Sequence, residues 1–200
     1  MRKENKLAPL NLNNNMSSAI VWFNGPSVKQ FYNISPHPLE IGCNFILDNR
    51  KVHHVCCYDQ QVMKLLQKAP LKDVKYWTRR LFKTLLWNTF NSGVTYKHYK
   101  NITGFCSGTL ALALAVHLGA KKIYLLGCDW SLTNDSVYDK QYTWRRFPPN
   151  KTSKDKFKLL TVISELVELV IVHNTPRELG PKIKWLSPAE FVEGHNINMA

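Results

Sequence analysis

A segment near the middle of the chain carries residue types that could bind a nucleotide. Ser107, Gly108 and Thr109 precede an alanine-rich apolar run, and a second apolar run ends at Gly127 and Asp129. This pattern predicts a helix that begins at a small-residue turn, followed by a strand with a carboxylate at its end. N–H groups at a helix start favour an anion, and the carboxylate could orient a ribose, contact an acceptor or hold a divalent metal.

A second loop with suitable chemistry follows the first apolar run of the chain, where Asn24, Gly25, Pro26 and Ser27 interrupt it. The glycine lets the backbone approach a phosphate, while an amide and a hydroxyl can donate hydrogen bonds to it. The structural alternative is a strand-to-helix turn in which Ser27 is the N-cap. Asn44 closes a later apolar run, and its buried amide needs a partner, which either a ligand or a turn could supply.

The elements that must position these loops alternate between strands and helices. Apolar runs predict strands at residues 19–23, 39–43, 54–58, 123–126 and 168–172. Helical spacing predicts helices at 60–68, 107–118, 154–165 and 188–192, and the first half of 74–99 favours an amphipathic helix. This alternation is typical of an α/β fold, here a Rossmann-like three-layer sandwich with a mostly parallel sheet.

The chain has the length and apolar content of one domain. Residues 1–17 form a polar, asparagine-rich lead, and we expect residues 18–200 to form a single nucleotide-binding domain. The polar excursion at about 131–153 is too long for a plain connection and suggests an active-site lid. No apolar run is long enough to span a membrane, and residues 1–9 lack the apolar core of a signal peptide. We therefore expect a cytoplasmic protein, in the host cytoplasm if a phage encodes it.

The charge of the chain favours polyanionic partners. It has 27 basic and 14 acidic residues, which gives a formal net charge of +13. Nucleic acid, a nucleotide or an anionic surface would each suit such a charge. Within the predicted lid, Arg145, Arg146 and Lys151 lie near Tyr142 and Trp144, so this cluster is a candidate nucleic-acid contact. A solvated basic face is the alternative.

The cysteines do not indicate a metal site. There are five, with no Cys-x-x-Cys pair and no matching histidine spacing, so zinc is not expected. All but Cys106 lie in or beside apolar runs, and we expect reduced thiols in the core.

Three motifs, in order and spacing, resemble the bacterial sialyltransferases of glycosyltransferase family 42. They are residues 23–27, residues 42–45, and residues 106–109 together with the pair at 129–130. The chain is also similar to the related 6-hydroxymethylpterin pyrophosphokinase-like proteins, some of which phages carry. The resemblance implies a nucleotide or nucleotide-sugar donor and no tightly bound cofactor.

The resemblance also assigns roles to residues. It implies that Asn24, Gly25 and Ser27 hold the phosphate and sugar of the nucleotide, and that Asn44 contacts the ribose or sugar. The turn at 107–109 would supply backbone and hydroxyl donors near the phosphates and base. The catalytic candidates are Asp129 and two lid tyrosines that would ease departure of the nucleotide phosphate, Tyr138 and Tyr142.

Two departures from that family bear on the mechanism. Phe23 occupies the position of the first glycine of the Gly-x-Gly-Pro-Ser turn, and residues 131–158 contain no histidine to act as general base. Other residues could act as the base; they are His53, His54, His98, Asp59, Asp129 and Asp135. We expect His117 and His173 to be structural.

Three functions fit these observations. The first is a transferase that passes a group from a nucleotide-activated donor to an acceptor, which could be DNA. The second is a pyrophosphokinase-like enzyme in which Asp59, Asp129 or Asp135 holds magnesium. The third is a non-catalytic module that binds nucleic acid or a phage protein.

Overall fold

The computed structural model describes residues 17–68, 70–78, 106–129, 159–176 and 182–199, with side chains through residue 195. Its strands form one sheet of seven, in the order β4-β3-β2-β1-β5-β6-β7, and every neighbouring pair is parallel. The strands are β1 (Ser18–Trp22), β2 (Glu40–Cys43), β3 (His54–Cys57), β4 (Lys75–Thr78), β5 (Lys122–Leu126), β6 (Glu168–Val172) and β7 (Ile183–Leu186). The predicted α/β class is confirmed.

Among the described residues, helices lie between the strands and after β7. They are α1 (Gln60–Leu66), α2 (Ser107–His117) and α3 (Pro188–Met199), with two 3-10 helices at Pro26–Phe31 and Ile46–Asp48. Residues 159–164 are also helical. A capping box begins α3, because Glu190 accepts from the Ser187 N–H at 2.9 Å while the Glu190 N–H donates to the Ser187 hydroxyl.

Both faces of the sheet are buried, as expected of a parallel sheet between helical layers. On β1, Val21 belongs to the core cluster that includes Leu114 of α2. Trp22 points to the opposite face and belongs to the cluster that includes Phe31 and Phe191. Successive residues of a strand thus pack against two different helical layers, which is the predicted three-layer arrangement.

The outer strands are where the sequence-based prediction was wrong. Where the first half of residues 74–99 favours an amphipathic helix, its described part is a strand at Lys75–Thr78, and residues 79–99 lie outside the described residues. This strand pairs with β3, and the Trp77 indole N–H donates to His54 Nδ1 at 3.0 Å. Contacts with the rest of the sheet therefore outweigh the helical spacing of the apolar residues. Strand β7 was not predicted, because its four residues are only partly buried and include Lys184, so they form no continuous apolar run.

A buried polar network centred on Glu40, which is 1% exposed, joins the start of β2 to the last residue of β1. Its carboxylate accepts from Trp22 Nε1 at 2.9 Å, from the His37 N–H at 2.7 Å and from Arg50 Nη2 at 2.6 Å. Since the charge is paired and hydrogen-bonded on every side, its burial is tolerated.

The cysteines are as the sequence predicted. All five are free thiols, and only Cys106 is not buried. Burial raises the pKa of Cys43 and Cys56, which keeps them protonated. Within the described ranges, no helix combines the length and the apolar character that crossing a membrane requires.

Candidate functional site

The strand order reverses at the boundary between β1 and β5. From β1 the chain proceeds to β2, β3 and β4 on one side of the sheet, and β5, β6 and β7 lie on the other. In open parallel sheets, ligands bind outside the carboxyl ends of the strands at such a switch point. The loops after β1 and β5 carry Asn24, Gly25, Ser27 and Asp129, all of them predicted site residues.

Two glycines let these loops approach each other closely. The Gly25 N–H donates to the Gly127 carbonyl at 3.0 Å. A Cβ atom on Gly25 would lie 2.5 Å from Asp129 Cγ, so a larger residue would force the loops apart. Gly127 itself has φ of 73°, a left-handed conformation that other L-residues rarely adopt.

Ser27 and Asp129 join the two loops through side-chain chemistry. Asp129 Oδ2 accepts from the Ser27 N–H at 2.8 Å, and Oδ1 accepts from the Ser27 hydroxyl at 2.5 Å. The N-cap position of the following 3-10 helix is Gly25, and no side chain caps it. The N-cap interpretation of Ser27 is therefore wrong, because its hydroxyl binds the carboxylate instead. Asp129 is only 3% exposed.

Asn24 lies between β1 and this junction with an unpaired acceptor. Its Oδ1 is buried and has no hydrogen-bond partner among the residues the structure describes. A buried acceptor without a partner costs about 1–3 kcal/mol. Such groups are uncommon in folded proteins, so this amide is a candidate ligand contact.

The buried side-chain amide of Asn44 is hydrogen-bonded to the first residue of α2. Its φ of 54° is left-handed, a conformation that asparagine tolerates better than most residues. Its Oδ1 accepts from the Ser107 hydroxyl at 2.8 Å, and the same hydroxyl accepts from the Tyr58 N–H at 3.0 Å. Ser107 thus joins the start of α2 to the ends of β2 and β3.

The first turn of α2 is closed internally. Thr109 Oγ1 accepts from the Cys106 N–H at 2.9 Å and also contacts the Cys106 carbonyl. A Cβ atom on Gly108 would lie 2.1 Å from Cε1 of Phe23, so the phenyl ring packs directly on this turn. Phe23 is 2% exposed. Phe23 therefore brings the loop after β1 and the start of α2 into contact.

A histidine that the sequence analysis regarded as structural lies beside Asp129. His173 directly follows β6, and its Nε2 is 3.6 Å from Asp129 Oδ1. Sequence reasoning missed this proximity, although the signal was available: like Asp129, His173 lies just beyond the carboxyl end of a buried strand.

Several candidate bases lie elsewhere or have other roles. His54 begins β3, at the opposite end of the strands from the switch point, and burial lowers its pKa to about 4. Asp59 caps α1, since its side chain accepts from the Gln61 N–H at 2.8 Å. Among the described residues, no group of three or more His, Cys, Asp or Glu side chains could hold a metal ion.

Part of the predicted site falls outside the described residues. This part comprises the lead at 1–16, the lid, the predicted catalytic residues Tyr138 and Tyr142, the candidate bases His98 and Asp135, and the basic cluster Arg145, Arg146 and Lys151. Their roles stay predictions.

Fold and site together define an open parallel α/β protein with a candidate ligand crevice at its switch point. It is similar to three solved structures from Campylobacter jejuni. The monofunctional alpha-2,3-sialyltransferase Cst-I has 17% identity and a TM-score of 0.49, over 97% of this chain and 83% of that one. An alpha-2,3-sialyltransferase in apo form has 16% identity and a TM-score of 0.45, over 97% and 83%. The sialyltransferase CstII with the substrate analogue CMP-3FNeuAc has 16% identity and a TM-score of 0.42, over 90% and 84%.

No protein-family profile and no curated protein sequence matches the chain. Because the identities and TM-scores of the structural comparisons are low, the likeness assigns no activity to this protein.

Proposed function

We propose that the protein is a transferase that binds a nucleotide-activated donor, most simply a nucleotide sugar, and passes its group to an acceptor. The donor would bind outside the carboxyl ends of β1 and β5. The observation that carries this proposal is the buried Oδ1 of Asn24 at that point, which has no hydrogen-bond partner in the part of the chain that the structure describes. A hydroxyl or amino group of a nucleotide would supply the missing donor.

The loop after β1 is the proposed phosphate contact. The Gly25 N–H is donated to the Gly127 carbonyl and Asp129 fills the space beside its Cα, so Gly25 would shape this loop rather than donate to the phosphate itself. The hydroxyl proton of Ser27 is directed at Asp129, so Ser27 would act chiefly by holding the loop in place. Asp129 would in turn fix this loop against the end of β5.

The start of α2 would not contribute the hydroxyl donors that the resemblance implies. The hydroxyls of Ser107 and Thr109 already make internal hydrogen bonds. Both residues are nearly inaccessible, at 6% and 0% exposed. We therefore propose that α2 favours the phosphate through its dipole and that Asn44, fixed by Ser107, borders the same crevice.

The residues proposed for catalysis and for binding the acceptor are those identified from the sequence. Asp129, Tyr138 and Tyr142 remain the proposed catalytic residues, and Arg145, Arg146 and Lys151 the proposed contacts of a nucleic-acid acceptor. A basic chain of net charge +13 would suit such an acceptor.

A thermal-shift screen tests the proposal. The protein is heated with CMP-, UDP-, GDP- and ADP-sugars and with ATP, each with and without magnesium. A ligand that binds only the folded state raises the Tm, by an amount that grows with its concentration relative to Kd. We expect one nucleotide sugar to raise the Tm without magnesium, and no shift with any compound would contradict the proposal.

The same screen separates the alternatives. A shift with ATP that requires magnesium would favour the pyrophosphokinase-like function. Salt-sensitive DNA binding without any nucleotide shift would favour the non-catalytic module.

A further inference from the structure

A donor and an acceptor face each other across the ends of β5 and β6. His173 Nε2 lies 3.6 Å from Asp129 Oδ1. This separation exceeds the N···O distance of a good hydrogen bond, which is up to about 3.2 Å. The two groups are therefore adjacent without a good hydrogen bond between them, so a third atom that lies beside the pair can hydrogen-bond to both.

The protonation of the His173 ring is set by its neighbour. The Thr175 N–H donates to Nδ1 at 2.9 Å. A ring nitrogen that accepts a hydrogen bond carries no proton, so the proton of the neutral ring lies on Nε2. The main chain is also fixed, because the His173 N–H donates to the Leu186 carbonyl at 3.1 Å. His173 thus presents an N–H donor, held in place, toward Asp129.

The acceptor side is equally well positioned. Asp129 Oδ1 accepts from the Ser27 hydroxyl, and a carboxylate oxygen can accept two hydrogen bonds. The side chains of His173 and Asp129 are 14% and 4% exposed, so a group bound here would be largely shielded from water. Shielding of this kind strengthens a hydrogen bond.

We propose that His173 and Asp129 together bind a sugar hydroxyl. His173 Nε2–H donates to the hydroxyl oxygen, and the hydroxyl proton is donated to Asp129 Oδ1. An oxygen about 2.8 Å from each atom lies beside the line that joins them, because the 3.6 Å separation has no room for an atom in between. A phosphate does not suit this pair, because it has no proton to donate and the carboxylate repels it. The inference rests on the proposed function and makes His173 a binding residue that no motif assigned.

Two substitutions separate this role from a purely structural one. In His173→Asn the amide oxygen can still accept from Thr175, but the donor at the Nε2 position is lost. In His173→Gln the amide nitrogen reaches that position, while the acceptor for Thr175 is lost. We expect H173N to keep the wild-type Tm and lose about tenfold in affinity. We expect H173Q to melt a few degrees lower and to bind within about threefold of wild type.

The probes are CMP, UMP, AMP and GMP, their 2′- and 3′-deoxy forms, and the corresponding nucleotide sugars, measured by calorimetry. If the hydroxyl belongs to the ribose, removing it costs the wild type about tenfold and costs H173N almost nothing. If it belongs to the transferred sugar, only the nucleotide sugar loses affinity in H173N.

The two failures are distinguishable. Wild-type affinity of H173N for every probe would overturn this inference and leave the proposed function standing. A wild-type protein that binds none of the probes would overturn both.

Discussion

The Ser27 hydroxyl and the Asp129 carboxylate, 102 residues apart in the chain, are joined at 2.5 Å, with the Ser27 N–H donating to the same carboxylate at 2.8 Å. One serine therefore uses both of its donors on one aspartate. The contact ties the loop after β1 to the loop after β5 at the carboxyl edge of the sheet.

Removing the Ser27 hydroxyl and removing the Asp129 carboxylate should lower the stability by different amounts. Ser27→Ala loses one hydrogen bond and should lower the free energy of unfolding by about 1 kcal/mol. Asp129→Ala leaves both Ser27 donors without their acceptor and should cost about 2–3 kcal/mol. Urea unfolding measures both changes.

Ser164→Ala is a matched control, because that hydroxyl donates to the Thr161 carbonyl, which is not part of the site. It should leave nucleotide affinity unchanged, whereas S27A and D129A should weaken it. Equal stability of S27A and D129A would contradict the two-donor arrangement.

The Glu40 network should determine stability without affecting binding. Glu40→Gln removes the charge that Arg50 pairs with and should lower the free energy of unfolding by about 3 kcal/mol or more. Because the hydrogen-bond partners of Glu40 named above, Trp22, His37 and Arg50, are not proposed site residues, the folded variant should bind nucleotides normally. A large loss of affinity with little loss of stability would contradict this expectation.

His54 should make the protein acid-sensitive. Its Nδ1 accepts from Trp77, and burial lowers its pKa from 6.5 to about 4. Between these pH values the unfolded chain binds more protons than the folded one, so this contribution is complete above about pH 6.5 and is lost as the pH falls toward 4. Allowing for partial solvent screening, the loss should be of the order of 2 kcal/mol.

His54→Asn is the control, because an amide oxygen can accept from Trp77 and does not titrate. Urea unfolding at pH 7.5 and 4.5 should show a smaller pH dependence for H54N than for the wild type. Burial also lowers the pKa of His37, so part of the pH dependence of stability should remain in both proteins. Identical pH dependence of wild type and H54N would exclude this role.

Phe23 and Gly108 should be energetically coupled. Gly108→Ala places a methyl group where the Phe23 ring lies and should destabilise the protein by about 1–3 kcal/mol. Phe23→Leu changes the shape of that contact, so the double variant should be more stable than the sum of the two single effects predicts. Additive effects in denaturant unfolding would mean that the ring and the glycine are not in contact.

The central elements were predictable because their patterns are long or strongly apolar. The start of α2 follows from the small residues that open this eleven-residue helix, and the carboxylate after β5 follows from a five-residue, mostly apolar strand. Strands β4 and β7 escaped prediction because four residues with mixed burial have no clear period. Sequence also identified Ser27 and Asp129 separately, but not that they bind each other, since a contact 102 residues apart depends on the strand order. The proximity of His173 to Asp129 depends on the strand order in the same way.

The most direct test of the central claim is the affinity of Asn24→Ala for the nucleotide that raises the wild-type Tm, measured by calorimetry beside the free energy of unfolding. Since the substitution removes a buried acceptor that lacks a partner among the described residues, the unliganded variant should be as stable as the wild type or more so. Its affinity should fall about tenfold or more, because the ligand loses its acceptor. Unchanged affinity, or a clear loss of stability without ligand, would contradict a nucleotide site at the ends of β1 and β5.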